Sequence, residues 1–283
     1  MSHSMNTNRN PARKKKRKRR NPEEETSRGT YILPNLFTTG NLFAGFYGIV
    51  SSINGHYFHA AVAILVSCVF DILDGKVARF AKATSRFGIE YDSLADLVAF
   101  GVGPALLIYL WALQPFGRLG WLAGFVFVAC GALRLARFNV QAGQGPSNYF
   151  VGLPIPGAAC MIATTVLFLF KIKGQSYNPT LVIFLLEAYV LGFLMVSNIP
   201  FNSFKEMEVI KGKPLPALFV LVLLLTVVAA KPPVMLFLMF SAYVLSGPVT
   251  YLVKRFRKKR ALETDDEGVA EGHSPPAGLH SQS

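Results

Sequence analysis

Long apolar runs separated by short polar connections make up most of this chain from residue 31 onward. Each run is close to the roughly 20 residues that a helix needs to cross the hydrocarbon core of a bilayer. Because lipid cannot satisfy backbone N–H and C=O groups, helices are the expected spanning elements. We therefore predict an all-α, polytopic integral membrane bundle with eight spans, at 36–53, 57–80, 93–114, 119–137, 155–173, 179–198, 214–230 and 232–252.

Polar segments lie at both ends of this pattern. Residues 1–29 are basic and poor in aromatic side chains, and we expect them to form a disordered arm. Residues 254–283 begin with a basic run and continue as a low-complexity tail, which we also expect to be largely disordered. The composition agrees with a membrane protein, because 52% of the 283 residues are hydrophobic, only 16% are charged and the mean hydropathy is +0.37.

The formal charge of +13 is concentrated outside the apolar runs, mainly at 13–20 and 254–260. Basic ends of this kind suit an anionic membrane surface, so we expect anionic lipids as partners and no nucleic acid. If the N-terminus is cytoplasmic, most Lys and Arg residues of the connections fall on the cytoplasmic side, as the positive-inside rule requires. We therefore expect both termini at the cytoplasmic face of an inner, cytoplasmic-type membrane. The three cysteines lie in apolar runs without a CxxC pattern, which predicts neither a disulfide nor a zinc site.

Four aspartates lie close together in the sequence, where an apolar chain is least expected to carry them. Asp71 and Asp74 are three residues apart, and Asp92 and Asp96 are four apart, so on helices each pair shares one face. Two helices joined around Gly88 can then present all four carboxylates to one point at the cytoplasmic side. Such close negative charges need a cation, and ligands that offer only oxygen favour Mg²⁺ or Mn²⁺, with Ca²⁺ also suitable, over zinc.

Metal ions held in this way suit an anionic substrate, and a pyrophosphate is the first candidate. Gly75 and Gly88 would let the backbone approach a nucleotide closely, and Arg79 would pair with a phosphate. The residues alone leave other interpretations open. The glycines also suit helix packing or a turn, and the acids also suit surface capping or salt bridges with nearby Lys and Arg residues.

Eight residues at fixed spacing resemble the signature of the CDP-alcohol phosphotransferase family, D-x2-D-G-x2-A-R-x8-G-x3-D-x3-D. They are Asp71, Asp74, Gly75, Ala78, Arg79, Gly88, Asp92 and Asp96. The resemblance implies a catalytic six-helix core, here at 30–213, with two additional spans at 214–253. It also implies a homodimeric enzyme with two divalent metal ions. Such an enzyme transfers the phospholipid group of a CDP-linked lipid directly to an alcohol and releases CMP.

The resemblance further implies roles for these residues. The implied metal ligands are Asp71, Asp74, Asp92 and Asp96. The residues implied to lie around the nucleotide are Gly75, Ala78, Arg79 and Gly88. Asp96 is also implied to be the base for the incoming alcohol. Because a carboxylate beside cations is a weak base, we expect Asp96 to accept the proton late, as the new oxygen–phosphorus bond forms.

Four further stretches, at 31–41, 130–139, 152–159 and 197–205, resemble the phosphatidylserine synthase branch of that family. This resemblance implies CDP-diacylglycerol as the donor and L-serine as the acceptor. It also places Asn35 and Thr38 beside the nucleotide, for which capping of the first helix is the open alternative.

Serine brings a carboxylate as well as a hydroxyl, so its site needs a cation beside the metal ions. Arg134 and Arg137, three residues apart at a helix end, would supply that cation by bidentate pairing. Asn139 would add a polar contact. The alternative for the two arginines is anchoring of the helix end to phosphate headgroups.

Two other functions remain open at this point. The same chemistry with glycerol 3-phosphate or an inositol phosphate would require a more basic acceptor pocket. An ion-coupled transporter would also carry acids within a membrane, although the acids of this chain cluster at one face.

Overall fold

The computed structural model describes residues 22–80, 86–141, 150–174, 182–201, 226 and 230–271. The span predicted at 214–230 therefore lies outside the described residues, except for its positions 226 and 230. Ala78 and Arg79 are described only as part of the helix backbone, and their side chains lie outside the described residues.

The described residues are almost entirely helical. The main helices are α1 (Pro22–Ile53), α2 (Tyr57–Phe80), α3 (Arg86–Asp96), α4 (Gly103–Ile108), α5 (Arg118–Gln141), α6 (Ile155–Lys173), α7 (Val182–Val196) and α8 (Pro232–Glu271). Two π-helical segments, Leu97–Val102 and Tyr109–Leu113, and a 3₁₀ turn, Gln114–Phe116, make α3 and α4 parts of one continuous rod. Two short strands, β1 (Phe150–Val151) and β2 (Pro200–Phe201), pair antiparallel, with Phe150 opposite Phe201.

Five described helical segments are long and apolar enough to cross a membrane, and α7 is a shorter apolar helix. The five segments are Asn35–Ile53, Arg86–Phe116, Arg118–Val140, Ile155–Lys173 and Pro232–Val253. The predicted all-α, polytopic membrane fold is thus confirmed, and the protein is an integral membrane protein. The predicted span at 57–80 has the bounds of α2, although α2 is not among the five.

Both terminal helices extend further than the apolar pattern predicts. α1 begins at Pro22, and a proline followed by Glu23, Glu24 and Glu25 suits a helix N-terminus, where the first N–H groups are unpaired and the dipole favours acids. α8 continues to Glu271 through a run rich in Lys, Arg, Ala, Leu and Glu, which are good helix formers. These helices enter segments that we expected to be disordered, while the division into arm, core, extra spans and tail stays a prediction.

The start of the third helix also differs from the prediction. α3 begins at Arg86, so Gly88 lies on the helix and not in the segment that joins two helices, while Asp92 lies on a helix as its spacing from Asp96 predicted. The predicted start at 93 was late because it followed a continuous apolar run, whereas in the first two turns of α3 apolar residues alternate with Arg86, Gly88, Glu90 and Asp92. The consequence for the site is that Asp92 and Asp96 stand on one helix, as their spacing requires.

Close packing against α1 fixes the position of the rod that contains α3 and α4. A Cβ atom at Gly45 would lie 2.5 Å from the Cα of Ala99, so only glycine allows this approach of α1 to the π-helical segment that follows Asp96. α6 lies in the centre of the bundle, where Ile155, Ile162 and Val166 have no exposed surface. The acids at the C-terminal end of α2 and on α3 are therefore carried by a tightly packed scaffold.

Candidate active site

Three of the four aspartates converge on one point. Asp71 and Asp74 lie on adjacent turns of α2, and Asp92 faces them from α3. One carboxylate oxygen from each residue lies within 4.8 Å of the others. Two ligands of one ion are separated by at most twice the metal–oxygen distance, about 4.2 Å for Mg²⁺ and about 4.8 Å for Ca²⁺. The three residues can therefore share one hard cation with little movement.

The carboxylates in this cluster are poorly compensated by protein groups. Asp74 is only 5% exposed, and its Oδ2 atom is buried with no hydrogen-bond partner among the described residues. Asp92 Oδ1 is buried in the same state. An unpaired buried carboxylate is costly, because neither water nor a donor replaces its lost hydration. The orphaned oxygens and the oxygen-only donor set both fit a divalent metal ion.

Asp96 has a different environment from the other three. It is 8% exposed, and its Oδ1 accepts a hydrogen bond of 2.9 Å from the side-chain Nδ2 of Asn41 on α1. Asp71 and Asp92 are still close enough to act on it electrostatically. The four acids thus divide into a cluster of three and one carboxylate that a neutral amide holds beside them.

The residues predicted to lie around the nucleotide are carried mainly by α1 and α2. Thr38 is 4% exposed and its side chain hydrogen-bonds the carboxylate of Asp74. Because α1 begins at Pro22, Asn35 and Thr38 lie inside the helix, and the alternative that they cap its N-terminus is wrong. A Cβ at Gly75 would meet none of the described residues within 4 Å, so that part of the chain leaves space beside Asp74.

The three residues predicted to bind serine have three different surroundings. Arg134 on α5 is largely buried, interacts electrostatically with Asp96, and has a buried Nε with no hydrogen-bond partner in the described part of the chain. Arg137 instead donates from Nη2 to Asn198 Oδ1 at 3.0 Å. Asn139 donates from Nδ2 to Ser93 Oγ at 3.0 Å and so ties α5 to α3. Of the three, Arg134 is the residue that the structure brings to the acids.

Residue-level reasoning on the sequence missed several polar residues at this site. Asn41 and Ser67 lie in apolar runs, and Tyr243 lies on α8, for which no role was predicted. Tyr243 interacts electrostatically with Arg134, and its ring packs 6.0 Å from that of Phe201. The available signal was the cost of a polar residue within an apolar span, which would have singled out Asn41 and Ser67.

The fold is an all-α membrane bundle, and the acid cluster suits a metal ion and a pyrophosphate. Together they indicate a membrane-embedded transferase, and comparison with known proteins agrees with this class. Residues 31–194 match the family model for CDP-alcohol phosphatidyltransferase. The chain belongs to the CDP-alcohol phosphatidyltransferase family, which confirms the predicted resemblance. The match includes all four aspartates and Arg134 but ends before Asn198 and Tyr243.

The matches to individual relatives cover most of each relative's length. The chain is 40% identical over 223 residues to the CDP-diacylglycerol–serine O-phosphatidyltransferase of Helicobacter pylori, a match that covers 78% of this chain and 92% of that protein. It is 38% identical over 176 residues to the Bacillus subtilis enzyme of the same name, covering 62% of this chain and 92% of the relative. It is also 40% identical over 174 residues to the archaetidylserine synthase of Methanothermobacter thermautotrophicus, covering 60% and 69% of the two chains.

Proposed function

We propose that this enzyme transfers the phosphatidyl group of CDP-diacylglycerol to the hydroxyl of L-serine, giving phosphatidylserine and CMP. The observation that carries the proposal is the division of the four acids. Asp71, Asp74 and Asp92 converge, and Asp74 and Asp92 each have a buried oxygen with no hydrogen-bond partner among the described residues. Asp96 lies beside them, within electrostatic reach of Arg134. The names of the relatives support serine as the acceptor.

The metal site of this proposal is formed by Asp71, Asp74 and Asp92. The family signature assigns Asp96 as a further ligand, for a second ion. Mg²⁺ or Mn²⁺ suits the donor set best, and Ca²⁺ is possible. Bound ions of this kind neutralise the pyrophosphate and the charge that develops on the departing CMP. Thr38 keeps Asp74 oriented by its hydrogen bond.

The CDP end of the donor would lie against the first turns of this site. The open space at Gly75 gives room for the nucleotide beside Asp74. We assign the neighbouring contacts by the family signature to Ala78, Arg79 and Gly88, with Asn35 on the adjacent face of α1. Arg79 is the cation available for a phosphate oxygen.

The acceptor would enter between Asp96 and Arg134. The guanidinium of Arg134 pairs with the serine carboxylate, for which its unpartnered Nε is suited. The serine oxygen forms a bond to the lipid-linked phosphorus while the bond from that phosphorus to the CMP oxygen breaks. The hydroxyl proton passes to Asp96. Arg137 and Asn139 would contribute from the next turn of α5.

We further propose an orientation and an assembly. The distribution of Lys and Arg in the sequence supports an orientation with the acids and both termini at the cytoplasmic face. The basic segments at 13–20 and 254–260 would bind anionic lipids there. A homodimer is proposed from the family resemblance alone.

The test of the function is CMP release by purified protein from CDP-diacylglycerol across a panel of alcohols. We expect release with L-serine and little release with glycerol 3-phosphate, glycerol or inositol phosphate. Each reaction is run with EDTA and with Mg²⁺ or Mn²⁺ added back. Equal or faster CMP release with a phosphorylated alcohol would show that serine is not the preferred acceptor. No release with any alcohol would contradict the proposed transfer reaction.

A further inference from the structure

A buried polar chain connects three helices behind Asp96. Asn41 on α1 and Ser67 on α2 each have no exposed surface, and Asp96 is 8% exposed. Asn41 Nδ2 donates to Asp96 Oδ1 at 2.9 Å. The Ser67 hydroxyl is within hydrogen-bonding distance of two oxygens of Asn41: the backbone oxygen, at 2.9 Å, and the side-chain Oδ1. Because these three side chains are buried, water does not replace their hydrogen bonds, and each group relies on the others for partners.

The chemistry of the groups determines which way the Asn41 amide faces. An amide offers an acceptor on one side and donors on the other. An ionised Asp96 can only accept, so Nδ2 must face it, and the Ser67 hydroxyl provides a donor for Oδ1 on the opposite side. The flipped amide would place two oxygens against each other at an ionised Asp96, so the carboxylate itself disfavours the flip. The Ser67 hydroxyl, which has one proton, adds a donor to Oδ1 in the observed orientation.

The backbone around this chain is equally constrained. Gly45 lies one turn beyond Asn41 on α1 and packs directly on Ala99, within one turn of Asp96. The contact leaves no room for α1 to slide along the rod that carries Asp96, because interiors packed this closely do not deform continuously. The distance between the amide and the carboxylate is therefore set by the scaffold as well as by the hydrogen bond.

We propose that Asn41, oriented by Ser67, is a positioning residue that occupies one oxygen of Asp96 and leaves the other to receive the proton of the acceptor alcohol. This inference rests on the proposed function. As the serine oxygen bonds to phosphorus and the phosphorus–CMP bond breaks, the hydroxyl proton moves to the second oxygen of Asp96. Asn41 neither gives nor takes a proton, and its donated hydrogen bond keeps the carboxylate from rotating away.

A purely structural clamp between α1, α2 and α3 would use the same hydrogen bonds, so the experiment must separate stability from turnover. Four variants of the full-length protein are compared with the wild type. Asn41→Ala removes the donor, Ser67→Ala removes its orienting partner, and Ser67→Thr keeps the hydroxyl. Ser52→Ala is the matched control, because Ser52 is also buried but donates to Gly48 O of its own helix at 2.9 Å.

Kinetics, binding and stability are measured for each variant. The measurements are the kcat and KM for serine-dependent CMP release, the binding of CDP-diacylglycerol in mixed micelles without serine, and the thermal unfolding midpoint. We expect Asn41→Ala to lower kcat by about 100-fold, within the range typical of general-base groups. We expect Ser67→Ala to lower kcat by about tenfold, near the value of one lost hydrogen bond. Donor binding and the KM for CDP-diacylglycerol should change less than about threefold in both.

The proposal is supported if Ser67→Thr restores most of the kcat that Ser67→Ala loses while Ser52→Ala keeps that of the wild type. It is overturned if Asn41→Ala and Ser67→Ala lose unfolding temperature but not kcat, or if they lose donor binding and kcat in parallel. Should Asn41→Ala fail to fold, the Ser67 pair decides by the same criterion. A wild-type protein that releases no CMP with serine contradicts the proposed function itself, which is a separate result from any difference between variants.

Discussion

The two sides of the site differ in how they are built. The proposed metal side comes from α2 and α3, which are consecutive helices, and helix periodicity puts the acids of each helix on one face. The acceptor side combines Arg134 from α5 with Tyr243 from α8 and with Asp96. The residues of the metal side thus come from one short stretch of sequence, whereas those of the acceptor side come together only when helices distant in sequence pack.

This difference predicts a gradient of mutational effects. Residues on the proposed metal side would act on the reacting phosphorus whichever alcohol is accepted, so their loss should abolish turnover. Residues on the acceptor side act on one substrate, so their loss should raise the KM for that substrate first. The predictions below follow this order.

Asp96→Asn should have the largest effect, a fall in kcat of at least about 1,000-fold, because the amide cannot accept the alcohol proton. The KM for CDP-diacylglycerol and its binding without serine should remain within a few-fold. CMP release and micelle binding are the measurements. Turnover retained above a tenth of the wild-type rate would remove Asp96 from the role of proton acceptor.

Loss of the metal should have an effect of similar size. EDTA should abolish CMP release, and added Mg²⁺ or Mn²⁺ should restore it. Asp74→Asn should need a higher metal concentration for half-maximal activity than the wild type, because it removes a ligand from the cluster of three. A Glu90→Gln variant, changing an exposed acid on α3, serves as the control. Activity that is indifferent to EDTA would contradict the metal site.

Arg134→Ala should raise the KM for serine by about 10- to 100-fold, the value expected for loss of a charge-assisted carboxylate contact. The KM for CDP-diacylglycerol should stay nearly constant. Arg137→Ala should have a smaller effect on the same quantity, because Arg137 already pairs with Asn198. An unchanged KM for serine in both variants would contradict serine binding by these arginines and favour the alternative, anchoring to phosphate headgroups.

Tyr243→Phe should have the smallest effect, an increase of about two- to fivefold in the KM for serine, since one hydroxyl beside Arg134 is lost and the ring packing stays. Tyr251→Phe, on an exposed face of the same helix, is the matched control. Equal behaviour of the two variants would mean that α8 contributes packing alone and nothing to the acceptor side.

The same contrast explains how much the sequence could predict. The fold class and the metal cluster follow from apolar runs and from spacings within single helices, which are local quantities. The start of α3 was missed because its first turns alternate polar and apolar residues and form no continuous apolar run. The start of α1 was missed because Pro22 and three glutamates begin a helix without apolar residues. Local patterns could not predict which polar residues would meet across helices.

Asn41 illustrates that limit. Its position in an apolar run indicates that it needs a partner, but only the packing of α1 against α2 and the rod of α3 identifies Ser67 and Asp96 as those partners. Arg137 and Asn139 show the converse. Their spacing from Arg134 suggests one shared target, yet each forms a hydrogen bond with a different element of the bundle.

The most direct test of the central claim is the stoichiometry of the reaction with labelled serine. Purified protein is incubated with CDP-diacylglycerol, Mg²⁺ and labelled L-serine, and the label in the lipid phase is compared with the CMP released. The account predicts one serine incorporated for each CMP, with both products lost together in Asp96→Asn. CMP release without labelled lipid would show hydrolysis or another acceptor, and would contradict the assignment of this enzyme as a phosphatidylserine-forming transferase.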